Sequence, residues 1–175
     1  GYFLEPELTA QAYTSDGWLR TGDKGTLDAQ GNLKLTGRVK DLFKTSKGKY
    51  VSPAGIEALL AVIPGVEACC VVGANMNQPL AILALTPDLV KQAIQAQARH
   101  QLQDFFANEL VNLNQQLDPH ERLSCLVLDP TPWTVASGFI TPTLKVKRNQ
   151  IEDAYGAFFE AWTAQGKAVI WVKAF

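Results

Sequence analysis

The sequence predicts an α/β (α+β) protein: a small β-hairpin segment, then a compact domain whose short mixed or antiparallel sheet is flanked by helices. Three patterns predict it. Short alternating runs around a Gly-containing turn fill residues 17–36, and apolar runs stand at 68–72, 80–85 and 123–128. Apolar residues at steps of three and four mark helices over 88–117 and 148–163. Strands alternating with helices after Tyr50 are the pattern of a compact α/β unit.

Taken in order, residues 1–16 are polar, rich in turn formers and without a sustained period. The first two strands surround Ala29-Gln30-Gly31, a hairpin loop. Residues 37–49 form the most charged stretch, with Arg38, Lys40, Asp41, Lys44, Lys47 and Lys49 between Gly37 and Gly48. It reads as a mobile loop or one engaged with an anion. Ser52 and Pro53 then open a helix as N-cap and first helical residue, with Ile56, Leu59, Leu60 and Ile63 on its apolar face. Pro64-Gly65 ends it.

Two buried strands follow, separated by Gly73 and Asn-rich turn residues. The helical pattern of 88–117, straight or kinked, stops at Asp118-Pro119. After the strand at 123–128, a loop beginning Pro130-Thr131-Pro132 runs to Lys147. The last helix should point Ile151, Tyr155, Phe158, Phe159 and Trp162 inward, and 168–172 suits an edge strand.

Composition narrows the function classes. With 47% hydrophobic and 19% charged residues and a net charge of −1, the 175-residue chain is that of a soluble globular protein. Such a balance exerts no global pull on nucleic acid or anionic membrane. There is no transmembrane-length apolar run, although peripheral membrane contact is compatible with the sequence. Cys69, Cys70 and Cys125 lie in apolar runs without metal-ligand spacing, so they read as buried thiols in a reducing, cytoplasmic setting. No metal site is expected. A start at Gly1 reads as the interior of a longer polypeptide.

Each polar cluster is weak alone. The Asp of Thr21-Gly22-Asp23 more often caps a turn than binds a ligand, and a Lys/Gly loop such as 44–49 is usually solvated, though backbone N–H groups there can cradle phosphate. Lys145, Lys147 and Arg148 precede or open a helix, where cations oppose the macrodipole, so an anion nearby is expected. Trp18 and Trp133 read as packing residues, and Glu57 as a dipole partner at a helix start.

Order and spacing are more specific. Gly17-Trp18-Leu19-Arg20-Thr21-Gly22-Asp23 is followed after thirteen residues by GRVKDLFKTSKGKYVSP, then Ile56-Glu57, and far downstream ITPTLKVKR from Ile140 to Arg148. In this order the segments resemble the adenylate-forming superfamily, in its long-chain fatty acyl-CoA synthetase branch, and they cover nearly the whole chain. The resemblance implies a carboxy-terminal part: residues 1–39 as the β-rich tail of a large amino-terminal adenylation domain, and 40–175 as the mobile domain. The missing amino-terminal domain is then the chief partner, with fatty acid, ATP and CoA as substrates and Mg²⁺ as cofactor. The fragment alone should be inactive.

By the same resemblance, Asp23 would hold the ribose hydroxyls and Arg38 would face the nucleotide. Lys40 would be the hinge, with neighbouring Asp41 the alternative pivot. Gly48, between Lys47 and Lys49, would let the pantetheine arm of CoA pass. Lys145 would stabilise charge developing at the α-phosphate. The family usually has Gly before that lysine, whereas Leu144 stands here, so Lys147 stays in competition; Lys145 is favoured because Arg148 completes the Lys-x-x-Arg spacing. An acyl-carrier-protein or aryl-acid ligase, and a non-enzymatic anion- or RNA-binding module, are the alternatives.

Overall fold

A computed structural model describes residues 1–172 and divides the chain into two compact units, Gly1–Leu42 and Phe43–Phe175. In the first, helix α1 (Pro6–Ala12) precedes strands β1 (Asp23–Leu27) and β2 (Leu33–Arg38). The helix was not expected. Pro6 sits at its start, where a missing N–H costs nothing, but at seven residues and with none buried it has no apolar stripe to betray it.

β1 and β2 pair antiparallel, with Leu27 opposite Leu33 and Asp23 opposite Arg38. Their loop is tied by Asp28, whose carboxylate accepts from Asn32 Nδ2 (2.8 Å) and from the Gln30 and Asn32 backbone N–H groups. The Asn32 side chain and these backbone bonds hold the Asp28 carboxyl below its usual range. No residue of this unit is buried, and Trp18, Leu27, Leu33 and Leu35 are largely exposed. Trp18 is therefore not a packing residue within its own unit.

The second unit opens with a hairpin of β3 (Phe43–Lys44) and β4 (Tyr50–Val51), whose tip carries Lys47 and Lys49 of the charged stretch. Helix α2 (Pro53–Leu60) starts at the expected place and buries Pro53, Ile56 and Leu60. Complete burial of such aliphatic side chains stabilises the fold by roughly 1.5–3 kcal/mol each.

The core is a four-stranded mixed sheet in the order β5-β6-β7-β8. β5 (Val66–Val72) and β6 (Leu80–Leu85) run antiparallel, while β6–β7 and β7–β8 are parallel, with β7 at Leu126–Asp129 and β8 at Val169–Trp171. Parallel neighbours require crossovers. α3 (Pro87–Ala93) and α4 (Ala96–Gln115) make the first, and α5 (Arg148–Tyr155) and α6 (Phe159–Ala164) the second.

Both helical stretches are broken. The first parts at Ile94-Gln95, and the second passes through a 3-10 turn at Gly156–Phe158 that leaves Phe158 half exposed instead of inward.

Strand alternation divides the core into two layers. Cys69, Val71, Leu83 and Leu128 join the α2 and α4 layer, whereas Cys70, Val72, Ile82 and Val127 join the α5 and α6 layer. The adjacent cysteines thus face opposite sides of one sheet and remain free. Burial pushes both thiols up to about 12. Among the described residues, no helix is long and apolar enough to cross a membrane.

Candidate functional site

The two expected nucleotide contacts meet in the first unit. Asp23 opens β1 and Arg38 closes β2, so hairpin register makes them cross-strand neighbours, with Arg38 Nε 3.4 Å from Asp23 Oδ1. Both keep exposure, 64% for the Arg38 side chain and 32% for Asp23, so this pair contributes little to stability and leaves polar atoms open to a ligand. Thr21 Oγ1 accepts the Asp23 N–H at 3.1 Å. Lys40, exposed, and Asp41, half-buried, lie in a 3-10 turn over Val39–Asp41, just before the division between the units.

In the second unit two hairpins carry the remaining candidates, and they share a backbone plan. At the tip of β3–β4, the Thr45 N–H donates to Lys49 O and the Gly48 N–H to Thr45 O, both at 2.9 Å. Thr45 Oγ1 accepts the Lys49 N–H at 3.3 Å. Gly48 has φ +78°, the left-handed conformation that closes a three-residue hairpin loop.

The second tip repeats each bond. The Thr141 N–H donates to Lys145 O and the Leu144 N–H to Thr141 O, both at 2.8 Å, while Thr141 Oγ1 accepts the Lys145 N–H at 3.0 Å. Leu144, with φ +60°, occupies the place of Gly48. The residue before Lys145 therefore keeps a glycine-like conformation although it is leucine. Lys145 is exposed beyond the turn, and Val146 pairs with Ile140 across the hairpin.

Lys147 has another backbone role. Its N–H donates to Phe139 O at 2.8 Å, and it is the N-cap of α5. Arg148, the first residue of α5, donates through Nη2 to Glu57 Oε1 at 2.7 Å and through Nη1 to Val71 O. Glu57 Oε1 also accepts the Val71 N–H at 2.8 Å. The anion expected near this basic cluster is thus, for Arg148, the protein's own Glu57. Glu57 is not just a dipole partner: it joins α2, β5 and the start of α5. Only the fold brings residues 57 and 148 together, so the sequence carried no signal for this role.

The loop between β7 and α5 is anchored by a buried cluster. Trp133, buried as expected, lies edge-on to Phe139 at 5.9 Å, and Phe139 is tilted against Tyr155 at 5.9 Å. Burial, and then a bond to Asp129, raise the Tyr155 phenol above its ordinary range. Among the described residues no group of three or more His, Cys, Asp or Glu gathers to hold a metal.

Comparison with known proteins agrees with this architecture. A family profile described as "AMP-binding enzyme C-terminal domain" matches residues 40–164. The chain is 32% identical over 164 residues to long chain acyl-CoA synthetase 7, peroxisomal, of Arabidopsis thaliana, covering 86% of this chain and 23% of that protein. It is 30% identical to human long-chain-fatty-acid–CoA ligase 1, covering 89% of this chain and 25% of the relative. The chain thus spans about a quarter of the length of these curated relatives.

Among solved structures, the adenylation domain of a carboxylate reductase from Mycobacterium chelonae superposes with TM-score 0.80 at 28% identity, covering 94% of this chain and 26% of that one. The AMP-bound A-PCP didomain of a carboxylic acid reductase from Segniliparus rugosus gives TM-score 0.76 at 26% identity, covering 94% and 23%.

Proposed function

This chain belongs to the AMP-binding enzyme C-terminal domain family, and on that premise we propose that the protein containing it converts a long-chain fatty acid, ATP and CoA to acyl-CoA, AMP and pyrophosphate. The names of the curated relatives support the fatty acid and CoA. The observation that carries the site reading is the glycine-like conformation of Leu144 directly before Lys145. It supports Lys145, rather than Lys147, as the adenylation lysine.

In the first step the fatty carboxylate attacks the α-phosphorus of ATP, forming acyl adenylate as pyrophosphate leaves. The Lys145 ammonium stabilises negative charge growing on the phosphoryl oxygens. In the second step the CoA sulfur attacks the acyl carbonyl and AMP departs. Gly48 keeps the tip between Lys47 and Lys49 free of a side chain for the pantetheine arm. Asp23 accepts from the ribose hydroxyls, and Arg38 faces the nucleotide from the same strand end.

Residues 1–39 belong, in this reading, to the amino-terminal adenylation domain, and 40–175 move about a hinge at Lys40 or Asp41. The coreless first unit supports the division, since its exposed Leu27, Leu33 and Leu35 need a larger body to cover them. Free buried thiols support a reducing compartment, cytoplasmic as first inferred; one of the similar proteins is peroxisomal by name.

A second reading, transfer to a carrier protein instead of CoA, is favoured by the likeness to an A-PCP didomain. Discharge of acyl adenylate by CoA against carrier protein separates the two. The site itself is tested in the full-length enzyme with palmitate. Lys145→Ala should lower ATP–pyrophosphate exchange about 10²–10³-fold, as expected for losing a donor to developing charge, while thioester formation from supplied acyl adenylate persists. Exchange that survives Lys145→Ala but not Lys147→Ala overturns the assignment.

A further inference from the structure

Asp129, the last residue of β7, is fully buried and belongs to none of the site roles described above. Its Oδ1 accepts the Thr131 N–H at 2.9 Å. Its Oδ2 accepts from Trp133 Nε1 at 2.9 Å and from the Tyr155 hydroxyl at 2.6 Å. Thr131 and Trp133 lie on the outgoing limb of the long loop, and Tyr155 lies on the helix to which that loop returns. One carboxylate therefore holds both ends of the segment that carries Lys145.

The Lys145 hairpin hangs from this clamp. Phe139 packs against both Trp133 and Tyr155, and its carbonyl accepts the Lys147 N–H at 2.8 Å. Ile140 and Val146 pair directly above. Both limbs of the hairpin thus rest on the rings that Asp129 orients, whereas its tip, Leu144 and Lys145, is exposed and lacks packing of its own.

We propose that the buried Asp129 carboxylate is a positioning residue for Lys145, acting through Trp133, Tyr155 and Phe139. The proposal rests on the reading of Lys145 as the adenylation lysine. The chemistry requires a carboxylate. Asparagine presents one oxygen and one NH₂, and that NH₂ must face either the Thr131 N–H or the Trp133 indole N–H, donor against donor. A displacement of about 1 Å in a charged group at a reacting centre lowers its rate up to about 10²-fold without preventing substrate binding.

The test uses the full-length enzyme, with Asp129→Asn, Trp133→Phe and Tyr155→Phe beside Lys145→Ala. Asp129→Asn should lower the maximal rate of adenylation about 10- to 100-fold at unchanged KM for ATP and fatty acid, with thioester formation from supplied acyl adenylate spared. Tyr155→Phe, which removes one of the three bonds, should show the same split more weakly. Independently of activity, trypsin should cleave after Lys145 and Lys147 at least about tenfold faster in Asp129→Asn, while cleavage after Lys49 stays unchanged.

Unchanged adenylation and proteolysis in Asp129→Asn overturn the proposal. Equal loss of both half-reactions in all three network variants overturns it too, assigning Asp129 to domain stability alone. Adenylation that survives Lys145→Ala refutes the site reading instead, and the trypsin result then reports on the clamp by itself.

Discussion

The tip at Thr45–Lys49 and the tip at Thr141–Lys145 have the same backbone hydrogen bonds but differ in the left-handed residue and in what lies beneath. The first has Gly48 and a Thr45 only 4% exposed. It is held through backbone and short polar side chains: the Ser46 N–H donates to Met76 O, the Asn75 N–H to Lys44 O, and the Ser46 hydroxyl to Asn77 Oδ1, all at 2.9 Å. The second has Leu144, a part-exposed Thr141, and support from aromatic rings and Arg148.

The comparison isolates what glycine does. A Cβ on Gly48 would meet only Lys44 Cε, at an ordinary 3.6 Å, so packing within this domain does not demand glycine. Leu144 shows that the same loop accepts a side chain at that place, at the cost of a left-handed backbone. If conformation were the only constraint, Gly48 would be as replaceable as its counterpart. The proposed passage of pantetheine at this tip supplies the second constraint.

The largest effect should come from installing at the first tip what the second already has. Gly48→Leu in the full-length enzyme should cut thioester formation from supplied acyl adenylate by about 10²-fold, since misplacing a reacting group by ~1 Å has that scale. ATP–pyrophosphate exchange should be largely retained. If Gly48→Leu costs only stability and both half-reactions stay intact, the two tips are equivalent and the pantetheine reading fails.

Next come the threonines. Thr45→Val removes the buried hydroxyl that accepts the Lys49 N–H and should lower unfolding stability by about 1–2 kcal/mol in urea titrations. Thr141→Val, where water can replace the hydroxyl, should cost less than about half of that. Equal losses would mean that burial does not distinguish the turns.

The smallest effect is a gain. Leu144 is 80% exposed and strained, so Leu144→Gly sacrifices little packing and should raise the melting temperature slightly, by about 0.5 kcal/mol of stability once the flexibility of glycine is subtracted. Destabilisation would mean that Leu144 is held by contacts outside this chain.

Much of this was legible from local pattern. The hairpin loop at 29–31, the Ser52-Pro53 helix start and the apolar strands were marked by turn chemistry and period, signals that lie within a few residues of what they specify. Helix α1 escaped because its seven residues, none of them buried, have no apolar face. Phe158 was misplaced because the 3-10 turn at Gly156–Phe158 breaks the 100° step on which its inward position depended. The pairing of Asp23 with Arg38 was not legible, because the register set by the turn would place Asp23 opposite Gly37 and the irregularity between Lys24 and Gly25 moves it to Arg38.

The sequence by itself determined the family, the β1–β2 hairpin, the start of α2, the apolar core strands and the order of the charged motifs, because each is written in short local patterns along the chain. Only the tertiary structure decided that Glu57 answers Arg148, that Asp129 gathers Thr131, Trp133 and Tyr155, and that Leu144 takes the conformation of Gly48. The first joins residues 91 positions apart, and the second adds Tyr155, 26 positions away, to partners two and four residues on; both use polar groups that need partners once shielded from water. The third is imposed on a residue that disfavours it by the closure of the hairpin around it.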